Sequence, residues 1–322
     1  MARFNWVLLL RSGKLFGTAA LTLAIASALS SIHAQVRQPE IPGVIAPGMT
    51  LRLVKDGFVF TEGPVSAKDG SLYFSDLRTS LIYTLNQGGS PTIGVRETNG
   101  ANGLAFAPNG DLLTAEGDGR EISQISNGHL KAICSQGADG SSLMAPNDLI
   151  VDRKGGVYFT DPGPRPLVPK RKAYVYYLPP HAHLPILIND EITRPNGIAL
   201  TKDGKTLFVD DTVGDAVFAF TVHADGTAGG KRIFARLHNL VPGKESGADG
   251  MAIDNSDRLY VTSISGVQIF NRNGSYLGTV KIPRQPTNVA FAGSKKRWLY
   301  VTAREGLYCI ETSVKGPHRL GK

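Results

Sequence analysis

The sequence predicts an all-β fold: a six-bladed β-propeller with four-stranded antiparallel blades around a central channel. Two observations carry the prediction. First, one hairpin unit recurs six times: a polar residue, a short apolar run, a tight turn and a second β-rich run. Second, the copies are spaced by about 40 to 50 residues, close to the period of propeller blades. The clearest copy runs from Pro195 to Asp211, PNGIALTKDGKTLFVDD. Its turn falls at Asp203-Gly204, because Gly tolerates the positive φ that a two-residue hairpin turn needs.

The first 34 residues read as a secretory signal. Basic residues through Lys14 precede an apolar, small-residue run from Leu15 to Leu29, and Ser31-Ile32-His33-Ala34 is suited to cleavage after Ala34. The run is shorter than the roughly 20 apolar residues of a membrane span, so no stable span is expected after removal. An uncleaved anchor is the alternative. The expected location is secreted or periplasmic. Residues 35–322 then form one propeller domain, because the repeat fills them and no interdomain linker interrupts it.

Composition is that of an ordinary globular chain, 42% hydrophobic and 19% charged. The net charge is +8, of which Arg3, Arg11 and Lys14 supply three, leaving +5 on the mature chain. No basic stripe interleaved with aromatics is present, and Lys295-Lys296-Arg297 falls in a turn slot, so nucleic acid is not an expected partner. Oligomeric state is not legible. The two cysteines, Cys134 and Cys309, fall on outer stretches of blades that are not neighbours, and are expected as separate buried thiols.

From Gln35 to Lys55 the chain is Pro-rich and then strand-like at Leu51-Arg52-Leu53-Val54. An open ring would expose two sheet edges, so this segment is expected to pair with strands after Asn288 and complete the last blade. The remaining copies begin at Glu62, Ala101, Pro146, Asp249 and Thr287. Two stretches depart from the repeat. PGPRPLVPKRK, between Asp161 and Ala173, is too Pro-dense for regular ladder pairing. It is either a plain surface loop or a lid over one face of the ring, with Arg165, Lys170 and Arg171 as anion contacts. His181-Ala182-His183 would share a face on a strand, but Pro179, Pro180 and Pro185 favour a loop over a metal site.

The chemistry lies in the first polar residue of each copy: Glu62, Asn102, Asn147, Asn196, Asp249 and Asn288. At equivalent places near the start of each innermost strand, they would ring one end of the axis. Two carboxylates and four amides, with no His or Cys, suit a hard divalent cation. Glu62 and Asp249 facing each other across a channel would repel, and a cation removes that cost. Asn-Gly is also a common turn pair. Each copy, however, already has its turn about seven residues later, and Asn147 and Asn288 lack the Gly. Glu62, Asn196 and Asp249 are the foremost ligands, then Asn147, with Asn102 and Asn288 behind.

These residues resemble a known family. Glu62-Gly63-Pro64, Pro146-Asn147-Asp148, Phe159-Thr160-Asp161-Pro162, Pro195-Asn196-Gly197 and Asp249-Gly250-Met251 look like the SMP-30/gluconolactonase/LRE-like family, over roughly Leu51 to Tyr308. The resemblance implies a six-bladed propeller with one divalent ion on the axis, Ca²⁺ foremost, with Mg²⁺, Mn²⁺ or Zn²⁺ as alternatives. It implies Glu62, Asn196 and Asp249 as ligands, Asn147 as a further ligand or substrate contact, and Asp249 as general base. The chain is nearer the bacterial gluconolactonase type than the animal regucalcin type, since Ala145 stands where the latter carries an arginine.

The expected activity is hydrolysis of a sugar lactone, with a metal-activated water attacking the carbonyl and Asp249 taking its proton. Asn102, Asn147 and Arg165 are the expected substrate contacts. No Gly-x-Ser-x-Gly elbow supports serine catalysis. Two rivals use the same site: a metal-dependent phosphotriesterase or aryl esterase, and a non-enzymatic binding propeller stapled by its ion.

Overall fold

The structure is a computed structural model and describes residues 35–168 and 171–317. The signal-like segment and Lys170 lie outside the described residues. Six antiparallel sheets follow one another along the chain, each built from one copy of the repeat. The innermost strands are Thr61–Ser66, Ala101–Phe106, Leu149–Val151, Pro195–Leu200, Met251–Ile253 and Asn288–Ala292. In the first five blades the strands step outward in sequence order, so each turn joins neighbours.

The last blade is closed by the N-terminal part of the chain. Thr50–Asp56 pairs antiparallel with Gly306–Glu311, Arg52 opposite Cys309 and Leu53 opposite Tyr308. This is the closure the sequence predicts, with one addition: Gln35–Arg37 pairs outside Thr50–Asp56 and makes this sheet five-stranded. The Pro-rich stretch between them is also core. Ile41, Val44 and Ile45 are buried with Tyr260, Val267, Val289 and Val301, between the fifth and sixth blades. Gln38 donates to the Lys281 carbonyl at 2.9 Å and accepts from its N–H at 2.7 Å. The segment therefore ties two blades together.

Apolar side chains of adjoining blades form the core. Ile150, Tyr158 and Tyr177 of the third blade pack with Ile198, Val209 and Phe220 of the fourth. Cys134 and Cys309 are buried and free, as expected, with Cys309 on the third strand of its blade.

A recurrent carboxylate sets how the chain approaches the axis. Asp76, Asp161 and Asp211 end the second strands of their blades. Asp76 accepts from the backbone N–H groups of Val59 and Phe60. Asp161 does the same for Met144 and Ala145, both at 2.8 Å. Asp211 accepts from Arg194 N–H at 3.0 Å. Each carboxylate thus satisfies donors of the loop that leads into an innermost strand. Glu116 takes this place in the second blade and accepts from the Asn99 side chain at 3.0 Å.

Candidate active site

The six polar residues occupy equivalent places. Glu62, Asn102 and Asn196 are the second residues of their innermost strands, and Asn288 is the first of its own. Asn147 and Asp249 each stand two residues before theirs. The pairing register shifts between Glu62 and Val65, between Ala101 and Leu104 and between Pro195 and Ile198, so Glu62, Asn102 and Asn196 sit at bulges, which turn a side chain away from the regular pleat.

The glycine after the polar residue has a purpose other than a turn. A Cβ on Gly197 would lie 2.0 Å from the Asp249 carbonyl oxygen, and one on Gly250 would lie 1.8 Å from Asn288 Cγ. At these two places consecutive blades approach so closely at the axis that only Gly fits. Side-chain hydroxyls clamp the same level: Thr160 donates to the Asn196 carbonyl and Thr287 to the Thr61 carbonyl, both at 2.7 Å.

One end of the ring opens into a cavity of about 1150 Å³ lined by Glu62, Asn102, Asn147, Asn196 and Asp249. The sixth member, Asn288, lies behind. Its Nδ2 donates to Glu62 Oε2 at 3.2 Å and its Oδ1 accepts from Val289 N–H, so it orients a neighbour. Gly63 N–H also donates to Glu62 Oε2, at 3.0 Å. Asn196 Nδ2 donates to Thr212 Oγ1 at 3.1 Å, which fixes its amide plane. The Oδ1 atoms of Asn102 and Asn196 are buried and have no hydrogen-bond partner among the described residues. An unmatched buried acceptor costs about 1–3 kcal/mol, so both are suited to something that binds.

The electrostatics point the same way. Burial, and then the neighbouring carboxylates of Glu62, Asp210 and Asp148, push the pKa of Asp249 well above the usual carboxylate range, with Arg194 opposing them. A divalent cation would relieve this crowding. Two carboxylates with two or three amide oxygens form an oxygen-only donor set that fits such an ion. Among the described residues no three His, Cys, Asp or Glu side chains form a metal cluster, which leaves this mixed set as the candidate.

Around this centre the structure places residues that the repeat did not reveal. Asp210 accepts from Gly197 N–H at 3.0 Å, and Asp148, in the slot filled by Gly in four other copies, accepts from Leu149 N–H at 2.9 Å. Arg194 lines the cavity although only 7% exposed, and its Nη1 donates to the Gly163 carbonyl at 3.3 Å. Its place immediately before Pro195-Asn196 was the available signal. The Pro-dense loop does reach the site, since Gly163, Pro164 and Arg165 form part of the wall. Arg165 bonds Glu245 through both ends of its fork, the shorter contact being 2.7 Å. Arg171 is exposed and away from the cavity, and His181 and His183 lie exposed on a turn.

A propeller whose axial cavity is ringed by carboxylates and amides defines a class of protein. The SMP-30/Gluconolactonase/LRE-like region matches residues 60–305, and the chain belongs to that family. It is 26% identical over 307 residues to the gluconolactonase of Zymomonas mobilis, covering 86% of this chain and 85% of that one. Against lactonase drp35 of Staphylococcus aureus, identity is 31% over 180 residues, 55% of this chain and 51% of the relative. The gluconolactonase structure from Xanthomonas campestris superposes with a TM-score of 0.75 at 27% identity, covering 87% and 97% of the two chains. A calcium-binding protein, regucalcin, from Agrobacterium tumefaciens shares the fold, with a TM-score of 0.70 at 19% identity over 83% and 97% of the chains.

Proposed function

We propose that this protein hydrolyses a lactone, with a sugar lactone as the first candidate, at the axial cavity. The observation that carries the reading is the convergence of Glu62, Asn147, Asn196 and Asp249 from four blades on one cavity, with the buried Asn196 Oδ1 lacking a partner. Membership of a family whose relatives are named gluconolactonase and lactonase supports it. These four residues would hold one divalent cation, with Ca²⁺ favoured by the all-oxygen set. When bound, the ion supplies Lewis-acid polarisation and favours ionisation of water.

The chain's own residues do the rest. Asn102 and Asn147 hold substrate oxygens through their amides, and Arg165, paired with Glu245, forms the loop side of the wall. Asp249 takes a proton from the attacking water as its oxygen bonds to the carbonyl carbon. The carbon–oxygen bond of the lactone ring then breaks, and the proton passes to the departing ring oxygen, giving a hydroxy acid. Asn288 and Gly63 keep Glu62 in place. Export belongs to the same reading: the exported protein begins near Gln35, and an intact Met1 on it would count against this.

The test is a hydrolysis screen over a lactone panel with an organophosphate and an aryl ester beside it, run with Ca²⁺ and after exhaustive chelation. Lactone turnover that is lost on chelation and restored by a divalent cation is expected. Turnover of the organophosphate alone would transfer the site to phosphotriester chemistry, and full lactonase activity in a metal-free preparation would overturn the cation assignment.

A further inference from the structure

We propose that the cavity takes a lactone carrying an additional anionic group, a carboxylate or a phosphate, and that Arg194 anchors that group. The inference rests on the lactonase reading of this site and names its substrate class.

Arg194 is a cation buried in the cavity wall, and of its five donors Nη1 alone is engaged, with the Gly163 carbonyl. The remaining guanidinium N–H groups make no hydrogen bond among the described residues. A buried guanidinium is retained where an anion meets it. Burial and then Arg165 work against the charge of Arg194, and Asp249, Glu245 and Asp211 favour it, in that order. With Asp249 engaged on a cation, Arg194 is left facing the cavity without a full counter-charge.

The charge around the cavity extends this. Arg78, Arg120, Arg165, Arg194, Lys244 and Arg304 line it, against four carboxylates. Arg165 is taken by Glu245, and Arg304 donates to Gln285 Oε1 at 2.7 Å and lies over the Phe60 ring. Two of the four carboxylates, Glu62 and Asp249, belong to the cation set, so the remaining lining is cationic once the ion binds. The net charge of +5 on the chain from Gln35 onward also steers anions toward it. A neutral lactone leaves Arg194 unmatched, whereas a planar carboxylate or a phosphate fits its fork.

The test has two arms. In the first, kcat/KM is compared for glucono-δ-lactone, a glucarolactone bearing a carboxylate, and phosphogluconolactone. One or both anionic lactones are expected to exceed the neutral one by roughly 10- to 100-fold, the worth of a charge-assisted hydrogen bond, chiefly through KM. Which of the two leads distinguishes carboxylate from phosphate. Arg194→Gln should collapse the anionic-to-neutral ratio, and Arg194→Lys should restore part of it. In the second arm, calorimetry compares tetrahydropyran-2-carboxylate with the neutral tetrahydropyran-2-methanol on the wild-type protein. The carboxylate is expected to bind at least about tenfold tighter. Lactone hydrolysis with no preference for charge overturns the inference and leaves the lactonase reading intact. Tight carboxylate binding with no lactone turned over does the reverse. Equal binding of the two cyclic probes overturns the inference even if the Arg194 variants do not fold.

Discussion

Asp249 is asked to be both a ligand and a base, and a single substitution separates the two roles. Asn keeps one oxygen for a cation and loses the basic one. Asp249→Asn is expected to bind Ca²⁺ at high concentration, as read by calorimetry, yet to lose about 10² to 10⁴ in turnover at saturating metal. Asn147→Ala should be milder and partly rescued by more metal or substrate. Normal turnover of the loaded Asp249→Asn protein would move the base to another residue. Glu116 gives a second residue-scale prediction. Burial raises its pKa to about 7, with the Asn99 and Ser123 side chains opposing the shift. Its Oε1 is buried without a hydrogen-bond partner among the described residues. Between the ordinary glutamate value and about 7, the folded protein holds a proton that the unfolded chain has released. Stability contributed by this residue is therefore lost as pH rises through that window. Glu116→Gln keeps the Asn99 contact and never ionises. Its melting temperature should exceed that of the wild type by several degrees at pH 8 and by much less at pH 5. An equal gain at both pH values would show that Glu116 is not the group responsible.

At the scale of elements, the N-terminal strands are where the ring is closed. Removing Gln35 to Asp56 would expose the edge of Gly306–Glu311 and strip Ile41, Val44, Ile45 and Leu51 from the core between the fifth and sixth blades. Full burial of such a side chain is worth about 1.5–3 kcal/mol, so four of them rival the stability of an ordinary domain. The truncated chain is expected to aggregate or to lose cooperative melting, as seen by size-exclusion chromatography and thermal circular dichroism. A monomer with an unchanged melting curve would show that closure is dispensable. The acidic ends of the second strands act at the same scale. They hold the loops that deliver Asn147 and Asn196, which explains why a carboxylate recurs so far along the chain from the residues it positions.

For the whole molecule, a cation held by residues of four blades would act as a staple across the ring. A ligand that binds only the folded state at about 100 times its Kd adds about 2.7 kcal/mol. Adding Ca²⁺ to chelated protein should therefore raise the melting temperature by several degrees, and Glu62→Gln, which removes one charge, should demand more Ca²⁺ for the same rise. No thermal response to Ca²⁺, Mg²⁺, Mn²⁺ or Zn²⁺ would contradict an axial ion, independently of any activity. Among the described residues no helix is long and apolar enough to cross a membrane.

The repeat, its six blades, the place where the ring closes and the six axial positions were all legible from the residues. Hairpin turns and strand alternation are local, and a fixed period turns local signals into a global arrangement. Which of the six positions faces the cavity was not local. Asn288 turns behind Glu62, and Arg194 enters the wall beside Asn196, because strands from different blades meet at distances that a period does not encode. Asn-Gly is a common turn pair, yet each copy has its turn elsewhere, so the sequence left the purpose of the glycine open. Only the packed ring shows that Gly197 and Gly250 are there to let neighbouring blades touch. The burial of Ile41 to Ile45 was hidden for the same reason, since a Pro-rich segment shows no period and its partners lie more than 200 residues away. Periodicity determined the fold and the ring. Contacts between distant blades decided which side chains share the cavity and what charge surrounds them.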